Sequence, residues 1–312
     1  MTTEQAVIVG GGTMGADIAV IFAAGEWKTD IVESSETVRN DLPARLRSGL
    51  RTLRGPGHES GLDAGYDRFR ICADLDEIPW DSVALVVECV PEDLGIKRAV
   101  FERLERLSPA ETLLTSNSSS IPISRIGQGL ASQSRMAGLH FFMPAHLVPL
   151  VEVVRSEHTD PGVTEKLGRI MRSLGKRPVQ VGRDIPGFLA NRLQHALMRE
   201  VLYLVEKGIA TIEDIDAAVR YGFGFRFLAA GPLLQKDLSG IDIHCAAAYG
   251  IYPDLCNASG PCKTVTEMVA AGHTGAKAQR GFYTWTDEGL KEVKGRYQEA
   301  LLAALEILKK EI

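Results

Sequence analysis

The fold of this chain is decided by the segment QAVIVGGGTMG at residues 5–15. A short, apolar and β-branched run enters a glycine turn, and a helical pattern follows over residues 16–24. A second strand pattern over residues 29–33 ends in an acid, Glu33. Strand, glycine turn, helix, strand and acid in this order predict a dinucleotide-binding unit at the start of a doubly wound sheet.

The glycine turn fits the pattern G-x-G-x-x-G, and each glycine in it has its own physical task. Gly10 makes the tight turn, Gly12 lets the backbone approach a pyrophosphate, and Gly15 lets the helix pack on the strand. The helix N-terminus adds N–H groups and a partial positive charge for the anion. We therefore expect this turn, with Thr13 and Met14, to bind the cofactor.

The acid at the end of the second strand selects between the two nicotinamide cofactors. Glu33 lies where such a unit carries the carboxylate that hydrogen-bonds the adenosine ribose. Because a carboxylate there repels a 2′-phosphate, the sequence predicts NAD rather than NADP.

Length and composition exclude several classes of protein. A chain of 312 residues suits two domains. Its net charge of −5 offers no basic face to nucleic acid, and no apolar run reaches the length that spans a bilayer. The chain enters its first strand almost at once, without room for a signal peptide, and its five cysteines form no CxxC pair. The expectation is a cytoplasmic protein with reduced thiols and no metal site.

Helix and strand patterns alternate beyond Glu33, which predicts an α/β fold with a parallel, doubly wound sheet. The predicted helices cover residues 36–54, 94–107 and 161–174, a loop covers 55–65, and the predicted strands cover 69–72, 83–87, 112–115, 135–139, 150–154 and 177–181. Ligands bind beyond the carboxyl ends of such strands, where Glu92 and the cluster Ser116–Ser120 follow two of them. The alternative for this cluster is a polar turn that satisfies its own backbone.

A histidine and an acid lie on two neighbouring strand patterns. His140 ends one of them, and Glu152 interrupts the apolar run of the next. A carboxylate is costly to bury unless it is paired, and a nearby histidine is an obvious partner. Such a carboxylate fixes the imidazole tautomer and stabilises the imidazolium, as general acid–base catalysis requires. A catalytic pair and a structural ion pair both remain open at this point.

In the second part of the chain, the spacing of apolar residues changes from the two-residue period of strands to the 3.6-residue period of helices. The turn Asp184-Ile185-Pro186-Gly187 marks the expected junction. We expect an NAD-binding domain over residues 1–185 and an all-helical domain over residues 186–312. Its first helix is predicted over residues 188–207, with an apolar stripe that begins at Leu193 on the core side.

The chain resembles the 3-hydroxyacyl-CoA dehydrogenase family over nearly its whole length. The resemblance rests on an ordered set of motifs in both halves, namely the Gly10–Gly15 turn, VECVPE at 87–92, SNSS at 116–119, GLHFF at 138–142, LVEVV at 150–154, DIPGF at 184–188 with Asn191-Arg192, and GFY at 281–283.

This resemblance implies a set of residue roles. His140 is implied to be the catalytic base and Glu152 its orienting partner, while Ser119 and Asn191 hold the reacting oxygen of the substrate. The implied reaction interconverts a 3-hydroxy and a 3-keto group with NAD, in fatty acid metabolism.

The resemblance also implies a cofactor surface and an assembly. Glu92 and Lys97 match positions that line the nicotinamide side of the cofactor, and Asn117 belongs to the same cofactor-binding set. The helical domain is implied to form a homodimer.

Two features depart from the acyl-CoA members of the family. Met143 stands where family members usually have asparagine, so a thioether replaces an amide beside the histidine. The segment 224–232 is longer than in acyl-CoA members and is more similar to branches that act on carnitine, gulonate or pyridine-carboxylate-derived substrates. Arg226 within it is then either an anchor for a substrate carboxylate or a member of a structural salt bridge.

The small-molecule substrate is therefore an acyl-CoA or a small free hydroxy acid. Arg47, Arg51 and Arg54 line one face of the predicted helix over residues 36–54, either as a solvated face or as a clamp for a phosphorylated substrate tail. A non-catalytic NAD-binding or structural protein is the third alternative.

Overall fold

A computed structural model describes residues 4–54 and 65–310 of the chain. Its contacts divide the chain into two compact units, one that ends at Asn191 and one that begins at Arg192. The loop predicted over residues 55–65 lies outside the described residues except at its last position. The domain boundary predicted after residue 185 stays a prediction.

The first unit is built on one eight-stranded sheet. Its strands are β1 (Gln5–Val9), β2 (Lys28–Val32), β3 (Phe69–Cys72), β4 (Val83–Glu88), β5 (Leu113–Ser116), β6 (Met136–Phe141), β7 (Leu150–Val154) and β8 (Arg177–Val181). Their order across the sheet is β3-β2-β1-β4-β5-β6-β7-β8. From β1 the order proceeds to one side through β2 and β3 and then to the other side from β4 onward, so β1 and β4 flank a topological switch point. In sheets of this kind, ligands bind in the crevice at the carboxyl ends of the strands beside the switch point.

The last two strands depart from the predicted parallel sheet. β7 runs antiparallel to β6, and β8 pairs parallel with β7. The connection from β6 to β7 covers only residues 142–149, and a parallel crossover needs a dozen residues or more. The prediction of parallel strands is therefore confirmed for β1 to β6 and wrong for the last two. The reversal places His140 opposite Glu152 in the register of the sheet.

Helices cover both faces of this sheet. They are α1 (Thr13–Ala24), α2 (Glu36–Arg54), α3 (Leu94–Leu107), α4 (Ile123–Ile126) and α5 (Pro161–Ser173). Along β1, Ala6 and Ile8 belong to one buried apolar cluster, while Val7 and Val9 belong to another. Because side chains alternate between the faces of a strand, the two clusters are the cores on the two sides of the sheet.

The second unit contains helices and short turns. Its helices are α6 (Ala190–Glu206, which begins in the first unit), α7 (Ile212–Ala217), a π-helical turn (Ala218–Phe223), α8 (Gly224–Arg226), α9 (Pro232–Ser239), α10 (Ile241–Ile251), α11 (Lys263–Ala270) and α12 (Asp287–Leu308). Short 3₁₀ turns lie in this unit at Tyr252–Asp254 and Ala276–Ala278, and in the first unit at Leu75–Glu77, Trp80–Ser82 and Ala131–Arg135. Within residues 4–54 and 65–310, no helix has the length and hydropathy needed to cross a bilayer.

The apolar stripe predicted on the core side of α6 is not buried in this chain. Leu193 and Leu197 are exposed, and no residue of the helix is buried. The helical period identifies which face of α6 is apolar, but it does not identify the surface that covers that face. The expected core side is therefore wrong for Leu193 and Leu197, whereas Val201, Leu204 and Val205 are half-buried.

Candidate active site

The glycine turn after β1 has the geometry that a dinucleotide requires. Gly10 has φ +104°, and a Cβ on it would lie 2.7 Å from the carbonyl oxygen of Cys89. A Cβ on Gly15 would lie 1.8 Å from the carbonyl oxygen of Gly10, so α1 can pack on the turn only with glycine there. A Cβ on Gly12 would meet no atom within 4 Å. That open space, at the start of a helix without acidic residues in its first turn, fits a pyrophosphate.

The carboxylate of Glu33 is held beside this turn. Its Oε2 accepts a hydrogen bond from the N–H of Gly11 at 2.8 Å, and its Oε1 accepts one from the N–H of Ser35 at 2.8 Å. A Cβ on Gly11 would contact the side chains of Glu33 and Leu42. Gly11 therefore packs closely against the acid that it binds, a contact that the three-glycine pattern left unmarked. A carboxylate at the end of the second strand is the group with which a dinucleotide-binding unit hydrogen-bonds an adenosine ribose.

A buried charge network lies at the carboxyl end of β4. Lys97 is 1% exposed, and its ammonium donates to the two carboxylate oxygens of Glu88 at 2.9 and 3.1 Å and to the carbonyl of Val90 at 3.2 Å. It also lies 3.3 Å from the carboxylate of Glu92. Burial raises the pKa of Glu88, although the hydrogen bonds from Lys97 and Ser116 oppose it. Sequence reasoning missed Glu88, because the strand pattern that contains this acid does not show that a lysine of the following helix pairs with it.

The second carboxylate of this network fixes the serine cluster. Oε1 of Glu92 accepts hydrogen bonds from the hydroxyl of Ser118 at 2.7 Å, from the N–H of Ser119 at 3.1 Å, and from the N–H and hydroxyl of Ser120 at 2.8 Å each. Partial burial acts to raise the pKa of Glu92, but these hydrogen bonds and the Lys97 charge lower it to about 2. The turn is therefore organised by a carboxylate from the neighbouring strand end rather than by its own backbone alone.

Asn117 ties the ends of three strands together. Its N–H donates to the carbonyl of Glu88 at 2.8 Å, and its Oδ1 accepts from the N–H of Phe141 at 2.8 Å. Because Phe141 follows His140 directly, this contact fixes the backbone beside the histidine. The side chain of Asn117 is thus already engaged within the protein.

The predicted pair of histidine and acid is formed and buried. Nδ1 of His140 lies 2.8 Å from Oε2 of Glu152; the histidine is 4% exposed and the acid 0%. The rings of Phe142 and Phe188 pack edge-on against the imidazole, with centroids 4.5 and 5.6 Å away. Nε2 forms no hydrogen bond with a described residue.

The other oxygen of Glu152 is held by the backbone before α6. Oε1 accepts from the N–H of Leu189 at 3.0 Å and from the N–H of Ala190 at 2.8 Å. Gly187 and Phe188 both have positive φ, +76° and +46°, and this left-handed step turns the chain so that the two N–H groups face the acid. Burial acts to raise the pKa of Glu152, but the hydrogen bonds from His140 and these N–H groups outweigh it and lower the pKa. The acid is therefore a carboxylate, and Nδ1 carries the proton between them.

Four of the remaining predicted site residues make no such side-chain contact. Among the described residues, the side chains of Ser119 and Asn191 form no hydrogen bond. The backbone N–H of Ser119 donates to Glu92, and that of Ala190, the residue before Asn191, donates to Glu152. Met143 is 63% exposed. Arg226 is exposed and forms no ion pair with a described residue, so the structural salt bridge is not found there. Within the described ranges, no group of three or more His, Cys, Asp and Glu side chains could hold a metal ion.

Family models match both parts of the chain. The model described as "3-hydroxyacyl-CoA dehydrogenase, NAD binding domain" matches residues 5–185, and that of the C-terminal domain matches residues 187–285.

Curated relatives cover nearly the whole chain. The chain is 32% identical over 308 residues to the 5-formyl-3-hydroxy-2-methylpyridine 4-carboxylate 5-dehydrogenase of Mesorhizobium japonicum, covering 96% of this chain and 97% of that protein. It is 33% identical over 291 residues to the human mitochondrial hydroxyacyl-coenzyme A dehydrogenase, covering 90% and 91%.

Solved structures are similar over the same span. A crystal structure of a 5-formyl-3-hydroxy-2-methylpyridine 4-carboxylic acid 5-dehydrogenase, an NAD+-dependent dismutase, has a TM-score of 0.89 at 30% identity and covers 99% of each chain. The (S)-3-hydroxybutyryl-CoA dehydrogenase PaaH1 of Ralstonia eutropha has a TM-score of 0.74 at 26% identity and covers 92% of this chain and 100% of its own.

Proposed function

The chain belongs to the 3-hydroxyacyl-CoA dehydrogenase family, an NAD-dependent family that acts on a hydroxyl group, and we propose that it interconverts a hydroxyl and a keto group through His140. The observation that carries this proposal is the buried contact of 2.8 Å between Nδ1 of His140 and Glu152. A carboxylate that fixes one ring nitrogen leaves the other free for proton transfer.

His140 moves the proton of the reaction in this proposal. Since Nδ1–H donates to Glu152, Nε2 presents a lone pair and takes the proton of the substrate hydroxyl. Glu152 stabilises the imidazolium that results, and burial strengthens this attraction. In reduction, Nε2–H returns the proton to the forming alkoxide. When bound, NAD supplies the hydride acceptor for the carbinol carbon.

Ser119 and Asn191 hold the reacting oxygen in the proposed site. Glu92 fixes the backbone of Ser119, and Ala190, which precedes Asn191, donates its N–H to Glu152. The backbone that carries each polar group is therefore anchored by Glu92 or by Glu152. Preorganised donors of this kind stabilise an alkoxide more than mobile ones do.

The cofactor is placed by the turn and by the end of β4. Gly10, Gly12 and Gly15, with Thr13 and Met14, bind the pyrophosphate in this proposal, and Glu33 binds the adenosine ribose. Its nicotinamide side is lined by the network of Glu92 and Lys97, with Asn117 beside it. Because Lys97 is held by protein oxygens, we assign it to fixing Glu92 rather than to direct contact with the ring.

For the substrate, we propose a small free hydroxy acid, with a 3-hydroxyacyl-CoA as the second candidate. The structural likeness to the pyridine-carboxylate dehydrogenase spans 99% of the chain at a TM-score of 0.89, against 92% and 0.74 for the 3-hydroxybutyryl-CoA enzyme. Met143, in place of the usual asparagine, and Arg226, whose guanidinium lacks an ion pair with a described residue, favour the same candidate.

A substrate screen tests this proposal. NADH formation is followed with 3-hydroxybutyryl-CoA, with free hydroxy acids and with hydroxymethyl- and formyl-pyridine carboxylates. The proposal expects turnover with a free acid and weak or no turnover with the CoA thioester. Efficient turnover of the thioester alone would select the second candidate, and inertness toward the whole panel would favour a non-catalytic NAD-binding protein.

We also propose that the second unit forms a homodimer. Among its described residues, Ile215 is the one buried hydrophobic side chain, while α9 and α10 expose Leu233 (84%), Leu238 and Ile243. A helical unit needs a covered apolar face to be stable, and large exposed patches mark association surfaces. Sedimentation equilibrium should give the mass of two chains, and Leu233→Asp should lower the association constant. A monomer at micromolar concentration would contradict the proposal.

A further inference from the structure

Two arginines of α2 donate to backbone carbonyls of the glycine turn and of the end of β2, beside Glu33. Arg45 donates from Nη1 to the carbonyl of Gly11 at 3.3 Å and from Nη2 to the carbonyl of Gly12 at 3.0 Å. Arg39 donates from Nη1 to the carbonyls of Glu33 and Ser34, at 2.7 Å each. Both guanidinium groups are therefore fixed on backbone carbonyls next to the N–H groups that hold the carboxylate of Glu33.

The positive charge of this arginine pair is not neutralised by an ion pair. Neither Arg39 nor Arg45 lies within 4.0 Å of a carboxylate of a described residue, and the oxygens of Glu33 are occupied by the N–H groups of Gly11 and Ser35. A guanidinium has five N–H donors, and the carbonyl contacts use only one or two on each. Donors and charge thus remain available beside the position of the adenosine ribose.

We propose that Arg39 and Arg45 form a latent 2′-phosphate site, and that the charge of Glu33 alone excludes a 2′-phosphorylated dinucleotide from it. A guanidinium is the preferred protein partner of a phosphate, and an arginine near the end of β2 is how this fold accepts NADP. The dianionic phosphate is repelled by a fixed carboxylate at the same place. The proposal rests on the NAD site proposed above and is independent of the catalytic role of His140.

Glu33→Gln tests this proposal, because an amide oxygen can still accept from the N–H of Gly11 while the charge is lost. Dissociation constants for NADH and NADPH are measured by fluorescence titration without substrate. We expect the ratio of the NADPH constant to the NADH constant to fall about a hundredfold, as removal of a charge beside a phosphate allows. Adding Arg39→Met or Arg45→Met to this variant should raise the ratio again by about tenfold each, the worth of one charge-assisted hydrogen bond.

Two controls make the test specific. Arg51→Met, added to Glu33→Gln, removes a positive charge from an exposed position of the same helix. It should leave the ratio of the NADPH constant to the NADH constant at the value of Glu33→Gln alone. Glu33→Ser is the second variant should the amide perturb folding, and melting curves report on both. A ratio that changes less than about threefold in both variants at Glu33 would overturn the proposal, as would arginine variants that behave like Arg51→Met. If instead His140 proves not to be catalytic, these binding measurements keep their meaning.

Discussion

Replacement of Glu152 by glutamine should abolish most of the proposed proton transfer without changing the shape of the site. Glu152 is 0% exposed, and its two oxygens are held by His140 on one side and by the N–H groups of Leu189 and Ala190 on the other. In the variant, the amide oxygen stays with the two N–H groups because only an oxygen can accept them. The NH₂ group then faces Nδ1, which must become an acceptor, and the ring proton moves to Nε2.

The magnitude follows from two effects at this contact. Loss of the charge-assisted hydrogen bond to a buried partner costs about 1.5–3 kcal/mol, which corresponds to roughly a tenfold to hundredfold lower kcat. The wrong tautomer adds to this, since a protonated Nε2 cannot accept the substrate proton. We therefore expect kcat to fall about a thousandfold, with little change in KM.

The assay is steady-state turnover with the substrate found in the screen, together with NADH binding by fluorescence. Glu157→Gln is the matched control, because Glu157 is exposed and contacts only the neighbouring His158, at 3.5 Å. That variant should retain wild-type turnover. A kcat of Glu152→Gln within about threefold of wild type would refute the tautomer argument, and a loss of NADH binding would assign Glu152 to the fold of the site.

Three further variants test other parts of the account. Gly15→Ala places a methyl group 1.8 Å from the carbonyl oxygen of Gly10, so the melting temperature should fall by about 5–10 °C; an unchanged value would contradict the close packing. Gly12→Ala meets no atom within 4 Å and should keep its melting temperature while NADH binding weakens at least about tenfold. The pKa of Glu92 is lowered from 4.5 to about 2 in the folded chain. Its charge therefore stabilises the folded chain at pH values above 4.5, and this stabilisation is lost as the pH falls toward 2. Urea unfolding of Glu92→Gln should therefore differ from wild type at about pH 7 and much less at about pH 3; an equal difference at both would count against the network.

The sequence predicts the local elements of the first unit well, because single periodic signals decide them. The helices over residues 36–54 and 94–107 and the strand over 150–154 are confirmed with the predicted bounds. The tasks of Gly10 and Gly15 follow from steric rules that act over a few residues, and the distances that their missing Cβ atoms would make agree with those rules.

Features that depend on distant segments were not predictable from one sequence. The antiparallel pairing of β7 follows from the length of a loop rather than from the pattern of the strand. Glu88 and Lys97 meet because a helix folds back over a strand end, and neither residue type signals the contact. The exposed stripe at Leu193 shows the same limit, since a helical period does not reveal what covers the helix.

The contact between His140 and Glu152 was predictable only in part. The pairing of His140 with Glu152 was a chemical hypothesis from a buried acid in an apolar run, and the contact at 2.8 Å agrees with it. The backbone donors at Leu189 and Ala190 could not be foreseen, because they depend on the left-handed step at Phe188. Together with the hydrogen bond from His140, these donors outweigh the effect of burial and lower the pKa of Glu152.

The claim that proton transfer passes through Nε2 of His140 is tested most directly by His140→Ala, measured for both turnover and NADH affinity. The account predicts that kcat falls about a thousandfold or more while the NADH dissociation constant stays within about threefold of wild type. Near-normal turnover in this variant would contradict the account.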